Sequence, residues 1–168
     1  MFSHELICVV DTSVLIEFKR IVKIDEQWDL LMLMGDLVAD GRLAFPRQVA
    51  KELAYARHPD APGAWIGSAK ARVCHPQPDE QSLVKVLGVA EQLVDPEVTA
   101  DREVADPYVA AMACEIAARH RGCQVVVATG DTVDRLPVKL SLATACDRLG
   151  VAWWPAADFV DWVRSCRR

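Results

Sequence analysis

Residues 7–18 read ICVVDTSVLIEF. Ile7 to Val10 is a short, unbroken apolar run rich in β-branched side chains, the pattern of a strand covered on both faces in a parallel sheet. Asp11 ends it. Thr12 and Ser13 are good helix starters, and Val14, Leu15 and Phe18 follow at helical spacing, so the stretch predicts strand, carboxylate, helix. A carboxylate just past the end of a buried strand stands where open α/β sheets collect ligands.

The same alternation continues along the chain. Gln27 to Val38 predicts a helix stopped by Gly41, and Leu43 to Phe45 a short strand. Pro46 then opens a helix carrying Val49, Ala50 and Leu53 on one face, with Glu52 beside that face. Prolines and a glycine between His58 and Gly63 predict a loop, and Pro76 and Pro78 a second one. Trp65–Val73 and Gln81–Leu93 read as helices. Asp106 and Pro107 start a strongly apolar helix reaching about Arg121, and Val125 to Val127 is a second buried strand leading into Thr129, Gly130 and Asp131. A helix over Leu140–Leu149, a strand over Val151–Trp154 and a helix over Ala157–Cys166 complete the chain. This pattern predicts an α/β fold: a three-layer α/β/α sandwich with a central, mainly parallel sheet, in one domain over 1–168 with an extended helical middle segment around 59–100.

Composition narrows the class. Of 168 residues, 52% are hydrophobic and 26% charged, which suits a globular core and not a disordered chain. Nineteen lysines and arginines against 24 acids leave a net charge of −5, so a nucleic-acid ligand needs a local basic surface or bound metal. No apolar run is long enough to span a bilayer or serve as a signal peptide, so a cytoplasmic protein with no membrane partner is expected. Six scattered cysteines match neither a zinc pattern nor a Cys-x-x-Cys and read as reduced thiols; the adjacent Cys74 and His75 lack a second pair.

Four acids stand at informative places: Asp11 and Asp131 after strands, Glu52 on the third helix, Asp106 opening the long apolar one. Each has a plain structural reading too. Asp11 and Asp106 suit helix caps, Glu52 a solvated helix face, and Asp131 and Asp134 a turn. If the four converge, like charges raise one another's pKa, and a hard divalent cation, Mg2+ or Mn2+, is the natural compensation. Such an ion generates a hydroxide nucleophile and stabilises a phosphodiester's leaving oxygen.

The blocks ICVVDTSVLIEF, FPRQVAKELA, VADPYVAAMA and VVVATGD, in this order, resemble the four acid blocks of the PIN-domain nucleases. That family comprises metal-dependent ribonucleases, many of them VapC-type toxins restrained by an antitoxin. The resemblance implies that Asp11, Glu52, Asp106 and Asp131 are catalytic and hold Mg2+ or Mn2+, with Ser13 and Thr129 orienting the cluster. The middle segment is longer than in the smallest toxins. The tail from Lys139, through LSLATACDRLGVAWWPAADFV, is similar to a less-studied PIN-like branch, DUF4411-like, with a less uniform fourth acid, so Asp134 is the substitute for Asp131.

Arg47, Lys51 and Arg57 near Glu52, and Arg135 and Lys139 after Asp131, are candidate contacts to RNA phosphates; such contacts set register without reading sequence. The five tryptophans fall mostly in apolar patterns, which favours core packing or a protein interface over base stacking. The expectation is a metal-dependent endoribonuclease, the toxin of a type II toxin–antitoxin pair. Its expected partners are an RNA substrate, a second copy in a homodimer and a small antitoxin. One alternative is a catalytically inactive PIN-fold module binding RNA or protein. A haloacid-dehalogenase-type phosphatase, which also begins with an aspartate after its first strand, requires a second aspartate where this chain has Ser13.

Overall fold

The computed structural model describes residues 6–54, 60–96 and 103–167. Its sheet has four strands, β1 (Leu6–Val10), β2 (Leu43–Ala44), β3 (Gln124–Ala128) and β4 (Ala152–Trp154), in the order β2-β1-β3-β4 with every pairing parallel. Cys8, Val9, Val10 and Val126 to Ala128 are fully buried, as an unbroken apolar run demands of strands covered on both faces. The winding reverses between β1 and β3, which lie side by side with Val10 opposite Ala128. Their carboxyl ends therefore open at the place where α/β sheets bind ligands.

The helices are α1 (Thr12–Ile21), α2 (Ile24–Ala39), α3 (Arg47–Ala54), α4 (Ala61–Ala69), α5 (Glu80–Val89), α6 (Asp106–Arg119), α7 (Leu142–Leu149) and α8 (Ala156–Ser165). They fall into two groups. Helices α1, α2, α3, α4 and α8 pack among themselves, whereas α5, α6 and α7 form a second group in which α6 lies against β1 and β3. The result is the expected three-layer α/β/α arrangement. Phe18, Leu15, Leu31, Met34, Phe45, Met112 and Phe159 fill its interior.

Several boundaries differ from the sequence reading: helix α5 ends at Val89, with Glu91–Leu93 a separate 3-10 turn, and α7 starts at Leu142. Helix α2 begins at Ile24, not Gln27, because Asp25 and Glu26 lie in its first turn and interact favourably with the helix dipole. Helix α4 begins at Ala61, inside the expected loop: Asp60 caps it through the Gly63 N–H at 2.9 Å, and Pro62 lies in the first turn, where its missing N–H costs nothing. Residues 70–72 continue as a 3-10 turn rather than α-helix. Gly150 adopts φ +69° past the end of α7, a left-handed conformation that glycine takes without penalty.

Candidate active site

Asp11 follows directly on β1 and is 2% exposed. One carboxylate oxygen accepts the Thr12 N–H at 2.8 Å, capping α1. The other accepts the Ser13 hydroxyl at 2.6 Å and the Thr129 hydroxyl at 3.1 Å. Those two hydroxyls also receive the backbone: Gly130 N–H donates to Ser13 Oγ at 2.8 Å and Asp131 N–H to Thr129 Oγ1 at 3.0 Å. The carboxyl ends of β1 and β3 are thus tied by a hydroxyl network with Asp11 at its centre. Burial raises the Asp11 pKa; hydrogen bonds from Ser13 and Thr129 oppose the rise and the nearby Glu52 charge adds to it.

Glu52 projects from α3. Its Oε2 accepts the Thr12 hydroxyl at 2.5 Å and its Oε1 the Ala105 N–H at 2.9 Å. Both oxygens are therefore committed to joining the starts of α1 and α6. Asp106, the first residue of α6, is 7% exposed. Its carboxyl is pushed up to about 7 by burial and by the charges of Asp11 and Asp131, against the pull of Lys139.

Lys139 Nζ lies 2.8 Å from Asp106 Oδ2 and 3.0 Å from Asp131 Oδ2. Asp131 Oδ2 also accepts the Leu142 N–H at 3.1 Å. Asp134 points elsewhere, accepting the Ser141 N–H at 2.9 Å and the Thr144 hydroxyl at 3.1 Å at the start of α7. These bonds hold its carboxyl below the usual aspartate range. So the structure gathers Asp11, Glu52, Asp106 and Asp131 with Ser13 and Thr129, and sets Asp134 to work on the loop before α7.

The basic candidates divide. Arg47 and Lys51 line a cavity of about 290 Å³ between α3 and α4, which Lys70, not singled out in the sequence, shares with Phe45, Ile66 and Gln77. Lys51 is ion-paired at 3.2 Å to Glu103, a second residue that the sequence reading passed over. Arg135 is exposed, and Arg57 lies outside the described residues. Thr12 was read only as a helix starter. Its side chain nevertheless reaches Glu52, across a separation of 40 residues that no local pattern signals.

Among the described residues, no three His, Cys, Asp or Glu side chains stand around one point so as to hold a metal ion. The donor chemistry at the sheet's end nonetheless suits a hard cation. It is all oxygen, and two of its carboxylates, Asp106 and Asp131, already share one positive charge; Mg2+ commonly takes one or two carboxylates and keeps its waters. A separate cavity, also about 290 Å³, brings His120 and Cys123 to the adjacent Cys74 and His75. There His75 Nε2 is hydrogen-bonded to the Gly41 carbonyl at 2.7 Å and Cys74 Sγ to the Ala39 carbonyl at 3.2 Å.

The family model described as Domain of unknown function (DUF4411) matches residues 8–164, from β1 to α8. No curated protein matches the chain.

Proposed function

The chain belongs to the DUF4411 family, and from the acids gathered at the carboxyl end of its sheet we propose that it is a divalent-metal-dependent endoribonuclease related to the PIN-domain nucleases. One observation carries this reading. Acids from four separate elements meet at the carboxyl end of a parallel sheet, at its winding reversal, with two of them sharing a cation. A hard divalent ion bound there supplies a nucleophile from water at neutral pH and neutralises the leaving oxygen.

Asp106 and Asp131, with Asp11 beside them, are the residues that would hold Mg2+ or Mn2+. Ser13 and Thr129 keep the Asp11 carboxylate in one orientation, and Glu52 fixes the backbone entering Asp106. Arg47, Lys51 and Lys70, lining the cavity between α3 and α4, are proposed to meet the phosphates of an RNA strand. Asp11→Asn and Asp106→Asn should each abolish metal-dependent cleavage of RNA while the circular-dichroism spectrum stays native. Cleavage that persists in excess chelator would refute the mechanism.

The toxin assignment is a separate part of the proposal and rests on the likeness of the acid blocks. Expression of the wild type should arrest growth and Asp11→Asn should not; equal growth removes the toxin label. Ile24, Trp28 and Met32 make an exposed apolar stripe on α2, with Trp28 55% exposed, and this face is proposed for a protein partner, an antitoxin or a second copy. No helix among the described residues is long and apolar enough to cross a membrane. A non-catalytic binding module is the second reading, because Lys139 already compensates two of the acids without an ion.

A further inference from the structure

Lysines usually keep their ammonium groups in water. Lys139 does not. Its side chain is 14% exposed and its ammonium lies within 3.0 Å of one oxygen of Asp106 and one of Asp131. The backbone behind it is pinned. Arg135 and Lys139 exchange hydrogen bonds at 2.8 and 3.1 Å, and the Leu140 N–H donates to the Gln92 carbonyl at 2.8 Å, so the side chain is aimed inward by a closed turn. The two oxygens it bridges belong to acids from different elements. The ammonium therefore occupies the space between those oxygens that a divalent ion shared by the two acids would take.

Charge bears on the same position. Glu52 keeps its negative charge while accepting from Thr12 and Ala105, and the Lys139 ammonium already sits against the Asp106 and Asp131 oxygens, so an ion entering between those two acids would meet a like charge at contact distance.

We propose that Lys139 is a resident cation that takes the place of a second divalent ion between Asp106 and Asp131, so that the centre binds a single Mg2+ or Mn2+ per chain. This deepens the metal-dependent reading above and rests on it. Lys139 thereby leaves the set of candidate phosphate contacts and becomes a positioning residue, holding the two carboxylates together.

The test is the stoichiometry of Mn2+ binding to the full chain, counted by electron paramagnetic resonance of the free ion and requiring no turnover. Wild type should bind one Mn2+, lost in Asp106→Asn. Lys139→Met, which removes the charge and keeps the stem, should bind two, the second at least about tenfold tighter than any second ion on the wild type, roughly the 1.4 kcal/mol of a tenfold ratio. Lys139→Arg should stay at one. Two ions on the wild type, or a single ion on Lys139→Met, overturn the role of Lys139 while leaving the metal-dependent reading standing. Binding of no Mn2+ by the wild type overturns that reading and this inference with it. If Lys139→Met does not fold, the wild-type count and Lys139→Arg decide alone, since two ions on either refute the substitution of lysine for metal.

Discussion

At the scale of single residues, the pocket separates side chains that face the proposed ion from side chains that hold them still. Thr129 is fully buried and its hydroxyl does two things, donating to Asp11 and accepting the Asp131 N–H. Replacing it with valine keeps the volume and removes both bonds, so Asp11 loses one restraint and the turn carrying Asp131 another. Loss of a restraint on a metal ligand commonly lowers affinity 10- to 100-fold, and Thr129→Val should weaken Mn2+ binding by about that factor. An unchanged affinity would mean that the hydroxyl network is only scaffolding. Asp134 gives the contrasting case. Its lowered pKa comes from the Ser141 N–H first, then from the Ser141 and Thr144 hydroxyls, so its carboxylate stabilises the fold above the ordinary aspartate range and loses that contribution as pH falls through its lowered value. Asp134→Asn should therefore lower the melting temperature at neutral pH and leave Mn2+ affinity at the wild-type value. A loss of affinity equal to that of Asp131→Asn would place Asp134 among the ligands instead.

At the scale of elements, the start of α6 carries the clearest electrostatic cost. Asp106 is buried there, and burial together with the Asp11 charge pushes its carboxyl up from 3.8 to about 7. Between these two values the folded chain binds more protons than the unfolded one, so stability without metal falls as pH rises through this window and the full penalty is present above it. Melting in chelator from about pH 5 to about pH 8 should show this fall for the wild type, and Asp106→Asn, which cannot ionise, should flatten it. Parallel profiles for the two proteins would show that Asp106 is not the responsible group. The same element shows where sequence reading reaches its limit. The strands, the acids after β1 and β3, and the Asp-Pro pair opening α6 were legible because apolar runs and breaker residues are local signals; the cap reading of Asp106 was not met, since Ala105 takes the N-cap position and Asp106 is the first helical residue. The Glu52 bond to the Ala105 N–H was not legible, since the partners lie 53 positions apart and a glutamate on a helix reads by default as solvated. Lys139 reads from sequence as a candidate phosphate contact after Asp131, and its pairing with Asp106 and Asp131 has no local signal. A lysine's sequence context says nothing of whether a carboxylate pair from two other elements awaits it. The prolines and glycine before Trp65 signalled a loop because Pro62 in a first helical turn looks, from sequence, like any other chain breaker.

At the scale of the whole molecule, a net charge of −5 opposes association with RNA, and the clustered acids add to the repulsion where cleavage is proposed to occur. Any attraction must then be local, and the groove between α3 and α4 is where Arg47, Lys51 and Lys70 gather beside the helix that carries Glu52. Binding of a single strand through three such contacts releases counterions, with log affinity falling against log salt at a slope near −0.7 per phosphate neutralised, about −2 for three. Arg47→Gln and Lys70→Gln, measured in a catalytically silent Asp11→Asn background, should each make that slope shallower by about 0.7, and the double variant by about twice as much. Lys51 differs from its neighbours, because Glu103 pairs with it at 3.2 Å and shares its charge. Glu103→Gln frees that ammonium, so it should strengthen RNA binding and steepen the slope, opposite in sign to the other two changes. Slopes that stay at the wild-type value in all of these proteins would remove RNA from this groove, and the local field would have to be sought at other exposed basic residues such as Arg135.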